Sequence, residues 1–433
     1  MSDLVPMMPR YEAYKDSGVA WIGEIPVDWE VKRLKFLDRI NMGQSPSSED
    51  CNTQFLGIPF LQGNAEFGKR NPSPKMWCIK PKKYAKEGDI LLSVRAPVGA
   101  LNVADIKIGI GRGLCAITSI ESNRLFRLFQ LNSSTKEFQT LSTGSTFEAI
   151  SISNIKNLAL PSPPLDEQTA IANFLDCKTA KIDQAVVIKE KQIQLLKERK
   201  QILIQTAVTK GFDPNVSLRD SGVEWIGEIP KHWATKRVKY LFSQSNLLIK
   251  PNDGVVTSYR DGQVTLRSNR RIGGYTEAIL EQGYQGIRKG QLVLNSMDAF
   301  EGAIGVSESD GKCTPEYVIC DPNSKGILPD YFAYLLREMA LAKYIQVICN
   351  AVRQRAVRIR FNNLKARFLI VPPIEEQKAI VIHIQTQSTK IDQAIAIQEQ
   401  MIEKLKEYKA TLINSAVTGK IKVPQTVEIK AVA

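Results

Sequence analysis

The amino-acid sequence writes one phrase twice. "DSGVAWIGEIPVDW" runs from Asp16 to Trp29 and returns as "DSGVEWIGEIPKHW" from Asp220 to Trp233, 204 positions later. A second doubled block opens at "PSPPLDEQTAIANFL" (Pro161 to Leu175) and returns as "VPPIEEQKAIVIHI" (Val371 to Ile384). It continues as "AKIDQAVVIKEKQIQLLKERKQILIQTAVTKG" and "TKIDQAIAIQEQMIEKLKEYKATLINSAVTGK", with Lys181 and Lys390 lying 209 positions apart. The stretch between the two blocks is thus five residues longer in the second copy, and its sequence is nearly unrelated. A repeat this long means duplicated domains, because solenoid periods are only about 20–50 residues.

The second block predicts a long helix in each copy. Neither Pro nor Gly occurs from Leu165 to Lys210 or from Ile374 to Thr418. Pro163-Pro164 and Pro372-Pro373 stand just before, and the acidic pairs Asp166-Glu167 and Glu375-Glu376 suit the positive end of a helix dipole. Gly211 and Gly419 follow, where a helix favours a left-handed residue. Apolar residues recur with alternating spacings of four and three: Ile182, Val186, Ile193, Leu196 and Leu203, then Ile391, Ile395, Ile402, Leu405 and Leu412. That is a coiled-coil seam, interrupted at equivalent places by Lys189 and Gln398 and by Lys200 and Lys409. The shared seam predicts that the two helices pack on each other. Each would be a rod of roughly 60 Å, and two copies joined through it are expected to be related by an approximate two-fold axis. The seam leaves parallel and antiparallel pairing both open.

The variable middles read as short β runs followed by a helical stretch, "NRLFRLFQLNSSTKEFQTL" in the first copy and "PDYFAYLLREMALAKYIQVI" in the second. Both carry cations mixed with aromatics. The first has Lys69, Arg70, Lys75, Trp77, Lys80, Lys82, Lys83 and Tyr84, with Arg95 further on. The second has Arg260, Arg267, Asn269, Arg270 and Arg271. It also has an acid-free run that holds Arg353, Gln354, Arg355 and Arg358. Arg353-Gln354-Arg355 aligns with Gly144-Ser145-Thr146 of the first copy. Arg suits guanine edges, Gln or Asn suits adenine, and Lys mostly meets phosphate; a Gly-Ser-Thr loop can approach phosphate by its backbone. A net charge of +13 fits a polyanionic partner, although a surface that is basic for solubility gives the same number.

Catalytic signatures are missing. The two histidines, His232 and His383, have no Cys or carboxylate at metal-ligand spacing. "GVSESDGKC" (Gly305 to Cys313) fails the P-loop pattern, and "GIGRGL" (Gly109 to Leu114) lacks the third glycine of a dinucleotide loop. Seven scattered cysteines without a CxxC pair predict reduced thiols and a cytoplasmic protein. No apolar run reaches membrane-span length and no secretory leader is visible, so no membrane association is expected.

The doubled "SGVxWIGEIPxxW", the doubled "PPxxEQxAI" and the two "KIDQA" helices together resemble the specificity subunit of type I restriction–modification systems, as do "MGQSPSS" (Met42 to Ser48) and "LLSVRAPVGALNV" (Leu91 to Val103). The resemblance implies an α+β architecture. Two mixed α/β target recognition domains are separated by two long helices packed as an antiparallel coiled coil, in a pseudo-two-fold tandem repeat. The corresponding boundaries are 1–164 and 213–373 for the domains, 165–212 and 374–420 for the helices, and 421–433 for a tail. It further implies a non-catalytic subunit in which each domain reads half of a split double-stranded DNA site and the helices set the spacing. Two methyltransferase subunits would dock on it, and restriction subunits would attach through them. S-adenosylmethionine, ATP and magnesium would belong to those partners, with no cofactor or metal in this chain. "RAPVG" matches "MDAFEGAIG" only loosely, so the two half-sites should differ. The competing readings are a stand-alone DNA-modifying enzyme, which the missing motifs disfavour, and a coiled-coil adaptor whose domains bind protein.

Overall fold

The computed structural model describes residues 8–142, 149–270, 283–349 and 358–424. The chain forms two compact units, one from Met1–Glu190 with Glu399–Ala433 and the other from Lys191–Gln398. The helices expected from the Pro- and Gly-free runs are present as Leu165–Lys210 and Ile374–Val417. Each of them contributes one part to each unit.

In the first unit a four-stranded antiparallel sheet has the order Leu101–Val103, Ile90–Ser93, Leu114–Ser119, Asp38–Met42. Ile90, Leu91 and Leu92 are all buried, because the sheet is covered on both faces. A five-stranded sheet runs Cys51–Asn52, Met76–Cys78, Ile58–Leu61, Ile108–Ile110, Tyr84–Ala85. The helical stretch becomes two helices, Arg124–Ser133 and Thr135–Thr140, broken at Ser134, whose hydroxyl bonds back to the Gln130 carbonyl at 2.9 Å. Asn123 caps the first, its Oδ1 accepting from the amides of Leu125 and Phe126 at 3.0 and 3.1 Å.

The second unit keeps a four-stranded antiparallel sheet: Phe242–Gln244, Tyr317–Pro322, Leu292–Asn295, Ile304–Val306. In place of the five-stranded sheet stand two strand pairs, Val256–Ser258 with Val264–Leu266 and Gln285–Ile287 with Gly311–Cys313. Its main helix, Pro329–Leu341, begins with proline at the first turn, where no amide hydrogen is needed. The P-loop-like segment lies on Ile304–Val306 and Gly311–Cys313, strands with no helix following. Among the described residues no group of three or more His, Cys, Asp or Glu could hold a metal ion, and no helix is long and apolar enough to cross a membrane.

Glu338, on the main helix of the second unit, is buried and accepts a 2.6 Å hydrogen bond from Gln201 Nε2. Burial raises its carboxyl to about 7, against the smaller lowering effects of Gln201 and Arg337. A raised acid costs no stability below its unfolded value of 4.5 and an increasing amount as pH climbs to about 7. Glu338→Gln is therefore expected to stabilise the second unit by about 1–3 kcal/mol at pH 8 and by almost nothing at pH 4. Urea unfolding at the two pH values checks this; an equal effect at both would contradict it.

Candidate nucleic-acid interface and its repeated frame

The doubled phrases meet the doubled helix starts. Trp29 and Trp233 are buried. Trp29 Nε1 donates to Glu167 Oε2 at 2.9 Å, and Trp233 Nε1 to Glu376 Oε2 at 2.8 Å. Each carboxylate takes a second partner that the repeat does not share: the Tyr11 hydroxyl on Glu167, and His232 Nε2, 2.8 Å from Glu376 Oε1. Burial, then the bond to Glu167, pushes the Tyr11 phenol well above its usual range. The sequence placed these acids as dipole partners; their carboxylates are also tied to the indoles.

The next residue is equally repeated. Gln168 Nε2 donates to the Pro163 carbonyl at 2.9 Å, and its Oε1 accepts from the Asn123 amide at 3.0 Å. Gln377 Nε2 donates to the Pro372 carbonyl at 2.8 Å, and its Oε1 accepts from the Leu328 amide at 2.8 Å. Each buried glutamine thus locks the start of its long helix to the start of its unit's main helix.

The far helix ends close the same corners. Gly419 has φ +71°, and a Cβ there would lie 2.4 Å from Pro26 Cδ and 3.1 Å from Trp29 Cζ3. Gly211 has φ +73°, with Trp233 3.5 Å from an added Cβ. Glycine is needed at both for its left-handed backbone, and at 419 also for space. His383 is half-buried and stacks on Phe212 with centroids 5.3 Å apart.

The helix pairing left open by the seam is antiparallel in both units. In the first, Lys409 Nζ lies 2.6 Å from Asp183 Oδ1; in the second, Lys200 Nζ lies 2.7 Å from Asp392 Oδ2. These are the same two repeat positions with the copies exchanged, so the seam lysines pair with the aspartates of the two KIDQA elements. Half-exposed pairs of this kind add little stability but can fix register. Ile182, Ile391, Ile395, Ile402 and Leu412 are buried, and Val186, Ile193, Leu196, Leu203 and Leu405 are half-buried.

The candidate reading residues are placed less uniformly. In the first unit Lys69, Arg70, Lys75, Lys80, Lys82, Lys83, Tyr84 and Arg95 are exposed and Trp77 is half-buried. Lys75 and Trp77 lie at one side of the five-stranded sheet and Tyr84 on the opposite edge strand, with Lys80, Lys82 and Lys83 in the connection between them. Phe55 packs on Trp77 with ring centroids 4.3 Å apart, and Lys107 lies over the Tyr84 ring at 4.2 Å. Arg70 reaches toward the first long helix, 3.9 Å from Asp176. Arg95 bridges to Ala149, just past residues 143–148.

In the second unit carboxylates hold several of the candidate arginines. Arg260 pairs with Asp298 at 3.0 Å and with Glu301; Arg270 pairs with Asp261 at 2.8 Å and lies over the Tyr259 ring. Arg358 and Arg360 share Glu316 at 3.6 and 3.3 Å. The run that lacks acids in sequence therefore receives one from elsewhere in the fold. Arg267 Nε donates to Thr257 Oγ1 and Asn269 Nδ2 to Thr265 Oγ1. Gly144, Ser145, Thr146, Arg271, Arg353, Gln354 and Arg355 lie outside the described residues.

Each unit thus joins its own sheets to antiparallel segments of the two long helices through the same Trp–Glu–Gln frame, which defines a tandem duplication with divergent sheets. The model of the type I restriction modification DNA specificity domain matches residues 26–198. The MjaX type I restriction enzyme specificity subunit of Methanocaldococcus jannaschii is 40% identical over 193 residues, which are 43% of this chain and 44% of that protein. The MjaVIII specificity subunit of the same organism is 26% identical over 92% of this chain and 94% of its own length. The crystal structure of the HsdS subunit from Thermoanaerobacter tengcongensis superposes with a TM-score of 0.52 at 14% identity, covering 92% of this chain and 98% of that one. Residues 26–198 thus match the type I restriction modification DNA specificity domain, and most of the chain is similar in sequence to a type I specificity subunit. The segment shared with the first of these relatives spans less than half of that relative's length.

Proposed function

We propose that this chain reads a bipartite double-stranded DNA target and scaffolds two methyltransferase subunits, with restriction subunits attached through them, and that it carries out no chemistry itself. The observation that carries this reading is the contrast between frame and filling. The Trp29–Glu167 and Trp233–Glu376 hydrogen bonds are the same in both units, while the sheets between them differ in strand number and in the placement of their cations. A repeated frame suits two equal partner subunits; divergent fillings suit two different half-sites. S-adenosylmethionine, ATP and magnesium are assigned to the partners.

The test is co-expression with the neighbouring methyltransferase subunit and mapping of methylated bases. A split motif with two unlike halves is expected. Removing one heptad from each long helix, between Asp183 and Lys200 and between Asp392 and Lys409, is expected to change the unspecified gap while keeping the letters of both halves. Altered letters with an unchanged gap would refute the assignment of spacing to the helices.

A further inference from the structure

Directly after each repeated tryptophan the chain runs "EVKRLKFL" (Glu30 to Leu37) and "ATKRVKYL" (Ala234 to Leu241). In both units this is a strand followed by one short helical turn: Glu30–Arg33 with Leu34–Leu37, and Ala234–Arg237 with Val238–Leu241. The strand pairs antiparallel with the one leading into the long helix, Arg33 opposite Ala159 and Arg237 opposite Phe368. The turn buries Leu34 and Leu37, or Val238 and Leu241, and leaves its other side chains outside. Lys32, Arg33, Lys35 and Lys156 are exposed in the first unit, and Lys236, Arg237, Lys239 and Lys365 at the equivalent positions of the second.

An aromatic ring stands among these cations in each copy. Phe36 is 68% and Tyr240 64% exposed, and a lysine ammonium lies over each ring, Lys35 at 5.1 Å and Lys239 at 4.9 Å. Neutralisation is slight. Lys32 pairs with Glu30 at 2.8 Å and is also near Glu121; the second copy has Ala234 in place of Glu30. Arg33 and Lys35 share the neutral Asn157 Oδ1 at 3.4 and 3.2 Å. Among the described residues no ion pair ties Arg33, Lys35, Lys156, Lys236, Arg237, Lys239 or Lys365 to a carboxylate. The divergent Arg260 and Arg270, by contrast, are so tied.

The partner of this surface must be anionic and must present the same chemistry to both units. Base edges differ between half-sites, but phosphates do not. We propose that the two cationic ribbons are sequence-independent phosphate-binding elements for duplex DNA, separate from the reading residues, with Phe36 and Tyr240 offering their rings to deoxyribose. The proposal rests on the DNA-reading function above.

The test uses the full chain and a fluorescent duplex of arbitrary sequence, titrated at several salt concentrations. Lys35→Gln with Lys156→Gln in the first unit, and Lys239→Gln with Lys365→Gln in the second, change only exposed side chains. Each lysine–phosphate pairing removed is expected to reduce the slope of log affinity against log salt by about 0.9. The quadruple variant should therefore bind at least tenfold more weakly at low salt while the methylated motif keeps its letters. Lysine-to-arginine variants should retain the parental slope. An unchanged slope in a quadruple variant that still binds duplex would overturn the proposal and leave the DNA-reading function standing. An unchanged slope with loss of methyltransferase assembly would overturn it in favour of a protein-docking surface. Failure of the parent chain, alone or assembled with methyltransferase subunits, to bind any duplex would refute the DNA-reading function itself.

Discussion

Arg127→Met is expected to cost the first unit about 3–5 kcal/mol at neutral pH, with much of that loss recovered as the solution is acidified. Arg127 Nε lies 2.7 Å from Asp38 Oδ2, and both side chains are buried. The rest of the guanidinium is held by Gln130 and Ser122, and Gln130 Nε2 donates to the Pro161 carbonyl at 2.6 Å. The cluster thus joins a sheet strand, the main helix and the strand that leads into the first long helix. Burial already raises the Asp38 carboxyl and lowers Arg127, the mutual attraction only partly opposing it. Without the arginine, a carboxylate is left buried and unpaired, and its pKa should climb further. A raised acid carries its penalty above the folded pKa and none below the unfolded one, so the variant should regain stability as pH falls toward 4. Removing both partners, Arg127→Met with Asp38→Leu, is expected to be far milder, because it strands no charge. Chemical denaturation of the parent chain and the two variants between pH 4 and pH 8 decides the matter. A loss for Arg127→Met that is small and independent of pH would show that the pair is not the buried tie described.

Trp29→Ala and Trp233→Ala are each expected to destabilise their own unit by about 3–5 kcal/mol. Each ring fills a corner where one long helix starts and the other ends, and its N–H satisfies a carboxylate. Tryptophan-to-phenylalanine variants separate the two contributions. They keep most of the apolar packing and lose only the hydrogen bond to a charged group, for an expected cost of about 1.5–3 kcal/mol. Tyr11 and His232 remain to hold Glu167 and Glu376. Thermal unfolding followed by circular dichroism measures both steps, and equal losses for alanine and phenylalanine would show that packing contributes nothing at these corners.

Much of the frame was legible in the sequence because its punctuation is chemical. The prolines before Leu165 and Ile374 and the glycines at 211 and 419 bounded both long helices closely. The seam positions are buried or half-buried as their spacing implied. Helix direction was not legible in the seam, because a heptad pattern reads the same either way; the Asp183–Lys409 and Asp392–Lys200 pairs decide it. The indole–carboxylate bonds were hidden as well, since each joins residues more than a hundred positions apart. The acid beside Arg358 was hidden for the same reason: Glu316 comes to it from a distant part of the chain. The repeated "KRxK" ribbons were written in the sequence, but their exposure depends on which side the short helical turn buries.

The first unit combines residues up to Glu190 with residues from Glu399 onward, and Lys422 donates its amide to the Pro9 carbonyl at 2.7 Å. During synthesis this makes the unit that starts first the one that closes last. At roughly 5–20 residues per second, its early strands wait about 10–40 s for the partner segment of the second long helix. The second unit, built from one uninterrupted stretch, is fully translated before the first can close its corner at Trp29. Nascent chains therefore pass through an interval in which Leu175 and Ile182 lack Leu412 and Ala416, which share one buried cluster with them in the finished protein. During that interval the apolar face of the first long helix is open to chaperones or to a neighbouring nascent chain.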